Sequence, residues 1–274
     1  MAATGPSRIG GGPADGPPVE TAAVGPKKVA TWLGQATQQL RTLLPRLHAE
    51  YGRGLHLSSL RRLARRLGYA WKRCRRSLRG QRNAEAFAAC HEHLRRLHHA
   101  EQRGEVAVVY VDECRFSRQA PVPYAWQARG RPPVALPAVR GSGGYSVLGF
   151  WQAGAAGQPL VAYQRAGPLT ADLFALAVEE VSQALTAPTV LVLDNASIHK
   201  AHLVQARHAE WASRGLQLLF LPPYCPELNK IELLWHRCKH YWGRPEDYQS
   251  DQTLLERIEY ILSRVGTNYT VTFE

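Results

Sequence analysis

No run of 18 apolar residues occurs in the chain, and the N-terminal MAATGPSRIGGGPADGPP holds no apolar stretch of signal-peptide length. A transmembrane span and a secretory leader are therefore not expected, and a soluble cytoplasmic protein is. Cysteine is sparse: Cys74, Cys90, Cys114, Cys225 and Cys238 are odd in number and contain no C-x-x-C pair. That pattern argues against a disulfide framework and against a structural zinc site. Cys90 and His93 could share a helix face as metal ligands, but no second pair follows, and a solvated helix is the simpler reading. Residues 1–27 carry almost no large apolar side chains. A disordered tail is expected there, because nothing offsets the entropy of ordering. Acid is absent between Glu50 and Glu85, a window that holds Arg53, Arg61, Arg62, Arg65, Arg66, Lys72, Arg73, Arg75, Arg76, Arg79 and Arg82. So much self-repulsion makes sense if phosphates neutralise it, with a merely solvated basic face as the bland reading.

The 274 residues, 45% hydrophobic, are enough to bury a sizeable core, and the net charge of +12 favours a polyanionic partner such as nucleic acid. An acidic membrane surface is the competing reading. From Lys28 to Glu101 the apolar spacing is helical: ATWLGQATQQLRTLLPRLHAEYG, LSSLRRLARRLG and AEAFAACHEHLRRLHHAEQRG. The first two, joined by the short GRGLH with Ser58 and Ser59 as candidate N-caps, suggest a helix-turn-helix. YAWKRCRRS interleaves aromatics with cations and suits a wing along a DNA backbone. The expected organisation is a tail at 1–27, a DNA-binding module at 28–84, a linker helix at 85–104 and a catalytic domain at 105–274.

From Glu105 the period changes. VAVVYVD, YAWQARG, YSVLGFWQ and PLVAYQR read as strands, followed by alternating helix and strand through LTADLFALAVEEVSQAL, TVLVLD, KAHLVQARHAEWASRG, LQLLFLP and PELNKIELLWHRCKHYW. That order predicts an α/β fold, a mixed sheet with helices on both faces. Two strand runs stop on an aspartate, VVYVD on Asp112 and VLVLD on Asp194, and Glu232 sits beside the apolar stripe of a helix that follows a third strand. A turn residue, a helix cap and a solvated flank would explain each carboxylate singly, but explain the three together badly. Carboxylates gathered at one sheet edge repel unless cations sit among them. Hard oxygen ligands favour Mg²⁺ or Mn²⁺, and two ions about 4 Å apart suit in-line attack at a phosphodiester. By the two-residue strand period Glu113 should point away from Asp112. Asn195 and His199 in DNASIH should border the pocket, within reach of water or phosphate.

These motifs carry a family resemblance. VVYVDECRFS, YAWQARGRPP with YSVLGFW, LVLDNASIHK and LPPYCPELNKIELLW resemble, in that order, the catalytic core of bacterial insertion-sequence transposases related to the Tc and mariner elements. The resemblance implies a ribonuclease-H-like fold with its catalytic, metal-binding triad at Asp112, Asp194 and Glu232; Glu113, Asn195 and His199, read from the strand period and the DNASIH stretch, are expected as supporting residues behind it. The helical region resembles the family's DNA-binding half, with Arg61, Arg62, Arg65, Arg66, Lys72, Arg73, Arg75 and Arg76 as candidate DNA contacts. Implied partners are double-stranded DNA, as terminal inverted repeats and target, and a second copy of the chain on that DNA, in a bacterial cytoplasm at the nucleoid. A catalytically inactive or domesticated DNA-binding derivative is the alternative. Two positions depart from the family pattern: Lys230 stands where it has proline and Cys225 where it commonly has serine. Lys230 is expected to loosen the start of the helix that carries Glu232.

Overall fold

The computed structural model describes residues 30–33, 40–51, 56–70, 79–121, 127, 129–130, 132–138 and 143–273. The expected tail and Lys72, Arg73, Arg75 and Arg76 lie outside the described residues. The chain divides into two compact units, Met1–Arg76 and Ser77–Glu274.

In the first unit, helices α1 (Leu44–Tyr51) and α2 (Leu57–Arg66) follow a 3₁₀ turn, Leu40–Leu43. Leu43 and Leu47 pack with Trp32, Leu33, Leu60 and Ala64, so the leucine stripe of this helix serves the unit's own core. Burial of Leu60 and Ala64, four residues apart, turns Arg61, Arg62, Arg65 and Arg66 outward to solvent. The cap of α2 is His56 rather than Ser58: its Nδ1 faces the Ser58 amide at 3.3 Å and the Ser58 hydroxyl at 2.8 Å. The helix closes at Gly68, whose φ of +81° a side chain would resist.

The second unit opens with α3 (Ala84–Gln102), capped by Asn83, and then builds five strands: β1 (Ala107–Phe116), β2 (Tyr145–Trp151), β3 (Leu160–Ala166), β4 (Thr189–Leu193) and β5 (Leu216–Phe220). Their order is β3-β2-β1-β4-β5, antiparallel between β1, β2 and β3 and parallel between β1, β4 and β5. Helices α4 (Ala171–Gln183), α5 (His202–Gln205), α6 (His208–Ser213), α7 (Ile231–Arg237) and α8 (Asp251–Leu262) complete it.

Strand parity divides the core. Tyr110, Cys114, Val147, Val190 and Val192 face one layer with Leu94 of α3, Ile231, Leu234 and Trp235 of α7, and Ile258 of α8. Val111, Leu148, Phe150, Leu191 and Leu193 face the other with Phe174 and Val178 of α4, Val204 of α5 and Trp211 of α6. YAWQARG, expected as a strand, lies mostly outside the described residues. One expectation needs correction: β1 does not stop at Asp112. Its parallel ladder with β4 ends at Tyr110, but its antiparallel ladder with β2 runs on to Phe116, with Asp112 opposite Gly149. A charge ends an apolar run without ending a ladder, because the hydrogen bonds belong to the backbone.

Gly149 decides how close α7 lies to this sheet. A Cβ there would stand 2.6 Å from Trp235 Cζ2 and 3.1 Å from Ile231 Cδ1. We expect Gly149→Ala to cost about 1–3 kcal/mol through overpacking. Urea unfolding measures the loss, and pairing the change with Trp235→Phe should recover part of it by making room.

Candidate active site

Asp112 projects from the middle of β1 on the α7 face, just beyond the point where β4 leaves the ladder, and is only 9% exposed. Burial, then the charges of Glu232 and Glu113, and finally Asp194, push its carboxyl up to about 8. All three expected acids thus lie within electrostatic reach of one another. Glu232 occupies the first turn of α7, between buried Ile231 and buried Leu234, and is itself exposed. Its carboxyl is raised by partial desolvation, with Lys239 opposing and Asp194 adding to the shift. The turn before α7 is tied to the sheet by Asn229, whose Nδ2 donates to the Val111 carbonyl at 3.3 Å. The Glu232 amide donates in turn to the Asn229 carbonyl at 3.1 Å.

Asp194 follows the last residue of β4 and behaves differently. Its Oδ1 accepts the Ala196 amide at 2.8 Å and faces His199 Nδ1 at 3.0 Å. The His199 hydrogen bond, aided by that amide, holds its carboxyl below the usual aspartate value despite desolvation. His199 also meets Glu113 Oε1 at 3.0 Å through Nε2. Burial alone would lower its pKa, but the bonds to Asp194 and Glu113 outweigh it and raise the imidazole to about 9. Glu113 therefore lies across the sheet from Asp112, on the α4 side. His199 differs from the expectation that it would meet water or phosphate: it is fully buried, with both nitrogens turned to carboxylates. Asn195 is half-buried and its amide donates to the Leu221 carbonyl, joining the turn after β4 to the chain after β5.

Sequence reasoning missed Lys239. It stands in the π-helical turn Cys238–Trp242 that continues α7, close to Glu232 and to the Cys114 thiol, with its ammonium 5.9 Å from the Phe116 ring. The seven-residue step from Glu232, two helical turns, was the available signal. Lys230 does not loosen the start of α7. Its φ of −61° lies within the range that proline would impose, and its ammonium packs 4.9 Å from the Phe273 ring.

The donor set is wholly carboxylate, hard oxygen that suits Mg²⁺ or Mn²⁺ rather than a soft metal, and the elevated Asp112 marks a cluster short of positive charge. The residues fit such ions in chemistry and location. They are not closed into a chelate: among the described residues no three acidic, histidine or cysteine side chains are gathered as a metal site. Cys90 and His93 are part of no such group either.

The mixed sheet, in this order and flanked by helices, is ribonuclease-H-like. Residues 107–255 match the DDE superfamily endonuclease family, more than half of the chain, and the chain belongs to that family. The fold is similar to that of the Mos1 transposase paired-end complex with left transposon end, with TM-score 0.53 and 13% identity over 94% of this chain and 80% of that one. The Mos1 mariner paired end complex with Mn gives TM-score 0.53 and 15% identity over 97% and 83% of the two chains. At these identities the likeness is one of fold. It agrees with the kinship to Tc and mariner transposases read from the four motifs. No curated protein matches the sequence, and no helix among the described residues is long and apolar enough to cross a membrane.

The raised Asp112 generates a stability test in metal-free buffer. The folded state keeps a proton that the unfolded chain loses near 3.8, so this group's contribution to stability is full below 3.8 and drains away as pH climbs to about 8. Asp112→Asn cannot ionise. Its unfolding free energy in EDTA should exceed the wild-type value by a margin that grows across that window, reaching about 1–3 kcal/mol after relaxation of the site is allowed for. Saturating Mg²⁺ should reverse the order.

Proposed function

We propose that the chain is the DNA transposase of an insertion sequence, cutting element ends and transferring them into target DNA. The observation that carries this reading is the placement of buried Asp112 on the face shared with α7, with the carboxylates of Glu232 and Asp194 within electrostatic reach, a grouping that bound cations would stabilise. Asp112, Asp194 and Glu232 would hold two Mg²⁺ or Mn²⁺ ions, which supply Lewis-acid polarisation of the scissile phosphate and activation of the attacking hydroxyl. The β1–β2 register fixes Asp112, α7 carries Glu232 and the turn after β4 delivers Asp194. Lys239 adds a cation for a phosphate oxygen beside Glu232.

The paired helices α1 and α2 would act as a helix-turn-helix within a module ending near residue 84, with α3 as linker. Arg61, Arg62, Arg65 and Arg66 form its outward face, and Lys72, Arg73, Arg75 and Arg76 would contact phosphates. The working unit would be a homodimer on duplex DNA, at the nucleoid of a bacterial cytoplasm. Two ends must be cut and joined together while one triad serves one strand at a time, and Mos1 itself forms a paired-end complex.

The test incubates the full chain and Mg²⁺ with duplexes bearing the inverted repeats that flank its own reading frame. Cleavage and strand transfer should appear, and Asp194→Asn and Glu232→Gln should each abolish both while leaving DNA binding intact. Binding without cleavage by the wild type would instead favour a domesticated DNA-binding derivative. In the same assay, Arg61→Ala with Arg65→Ala should weaken specific binding more than nonspecific binding. Arg75→Ala with Arg76→Ala should weaken both alike and flatten the salt dependence.

A further inference from the structure

His199 touches two carboxylates at once from a site closed to water. Nδ1 stands 3.0 Å from Asp194 Oδ1, Nε2 stands 3.0 Å from Glu113 Oε1, and the side chain is 0% exposed. With no water to share, both contacts are favourable only if both ring nitrogens donate. The fully buried Phe174 of α4 lies against the imidazole, their ring centroids 4.5 Å apart. Strand β1 through Glu113, helix α4 through Phe174 and the turn after β4 therefore fix one ring between them.

The consequence falls on Asp194. Its Oδ1 receives the imidazole and also the Ala196 amide at 2.8 Å, while Oδ2 takes no hydrogen bond from the described residues and the side chain is 53% exposed. Two donors on one oxygen set the plane of the carboxylate and commit that oxygen. A cation arriving from solvent meets the other.

We propose that His199, anchored by Glu113, is a positioning residue that presents Asp194 to a divalent cation through Oδ2 alone, with Glu113 as the acceptor that fixes the imidazole and not as a further ligand. This rests on reading Asp194 as a metal ligand. A carboxylate oriented by a fixed donor binds metal without first losing rotamer freedom, and removal of such supporting groups weakens metal affinity by about 10–100-fold. A merely structural histidine would change stability and leave affinity untouched.

The experiment titrates the purified full chain with Mn²⁺, following the free-ion signal by electron paramagnetic resonance, with thermal melts in EDTA beside it. Wild type should bind and Asp194→Asn should not. The double variant His199→Gln with Glu113→Gln leaves no charge unpaired, so it should melt close to wild type yet bind Mn²⁺ about 10–100-fold more weakly. Glu113→Gln alone keeps an acceptor for Nε2 and should hold its affinity within about threefold, less than removal of a ligand costs. Unchanged affinity in the double variant would overturn the positioning role. Loss in Glu113→Gln as deep as in Asp194→Asn would make Glu113 a ligand and overturn it as well. Absence of Mn²⁺ binding in wild type would instead remove the metal-site reading on which the proposal stands, a result separate from either.

Discussion

A helix laid on a strand at a glycine governs the geometry of the site. Gly149 faces Asp112 across the β1–β2 ladder, and the space a side chain would take there is filled by Trp235 and Ile231 of α7. Close packing of this kind transmits small displacements, because no slack remains to absorb them. The first turn of α7 is therefore held near β1, and Asn229 reinforces that distance by donating to the carbonyl of Val111, the neighbour of Asp112. Apolar packing thus does what electrostatics alone would oppose: it brings Glu232 toward a buried aspartate of the same sign.

Two aspartates of like chemistry respond oppositely to this crowding. Asp112 rises because burial removes its solvent and the neighbouring charges are negative, whereas Asp194 falls because His199 and the Ala196 amide donate to it. The difference is architectural. Asp112 sits on the face shared with α7, while the support of Asp194 comes through the α4 face, where His199 leans on Phe174 and Glu113. Asp112 and Glu113, adjacent in β1, serve opposite layers of the molecule. A site built in this way is anchored through the sheet.

Much of this could be read before the structure, and the reasons differ residue by residue. Strand parity separates Asp112 from Glu113, and the end of β4 at Leu193 leaves Asp194 at the sheet edge as its apolar run suggests. The extension of β1 to Phe116 could not be read, because the partner that continues the ladder is β2, which begins 29 residues after β1 ends. The burial of His199 was hidden for the same reason: a histidine in a polar turn looks solvated until Glu113 and Phe174 are brought to it by folding. His56 rather than Ser58 caps α2, because an imidazole nitrogen can accept an amide as a hydroxyl oxygen does. Gly149 did carry a visible signal, a glycine inside a strand, which marks close approach of another group.

Lys230 shows how a departure from a family's pattern can be absorbed locally. Proline at the start of a helix acts by fixing φ near −65°, at the cost of one amide donor. Lys230 reaches −61° without that ring. Its ammonium lies 4.9 Å from the Phe273 ring and 5.8 Å from the Tyr110 ring, in partial burial that lowers its pKa against the pull of Glu101. Cation–π contacts of this kind are worth about 0.5–2 kcal/mol, increasing with desolvation. That is comparable with the entropy a proline removes from the unfolded chain, about 0.4–1 kcal/mol. The two residues hold the same backbone in different ways: proline restricts the unfolded state, and lysine is tethered in the folded one. Because Tyr110 lies on β1 two residues before Asp112, the tether runs from the N-cap of α7 to the strand that carries the buried aspartate, and the lysine helps hold the helix against that strand.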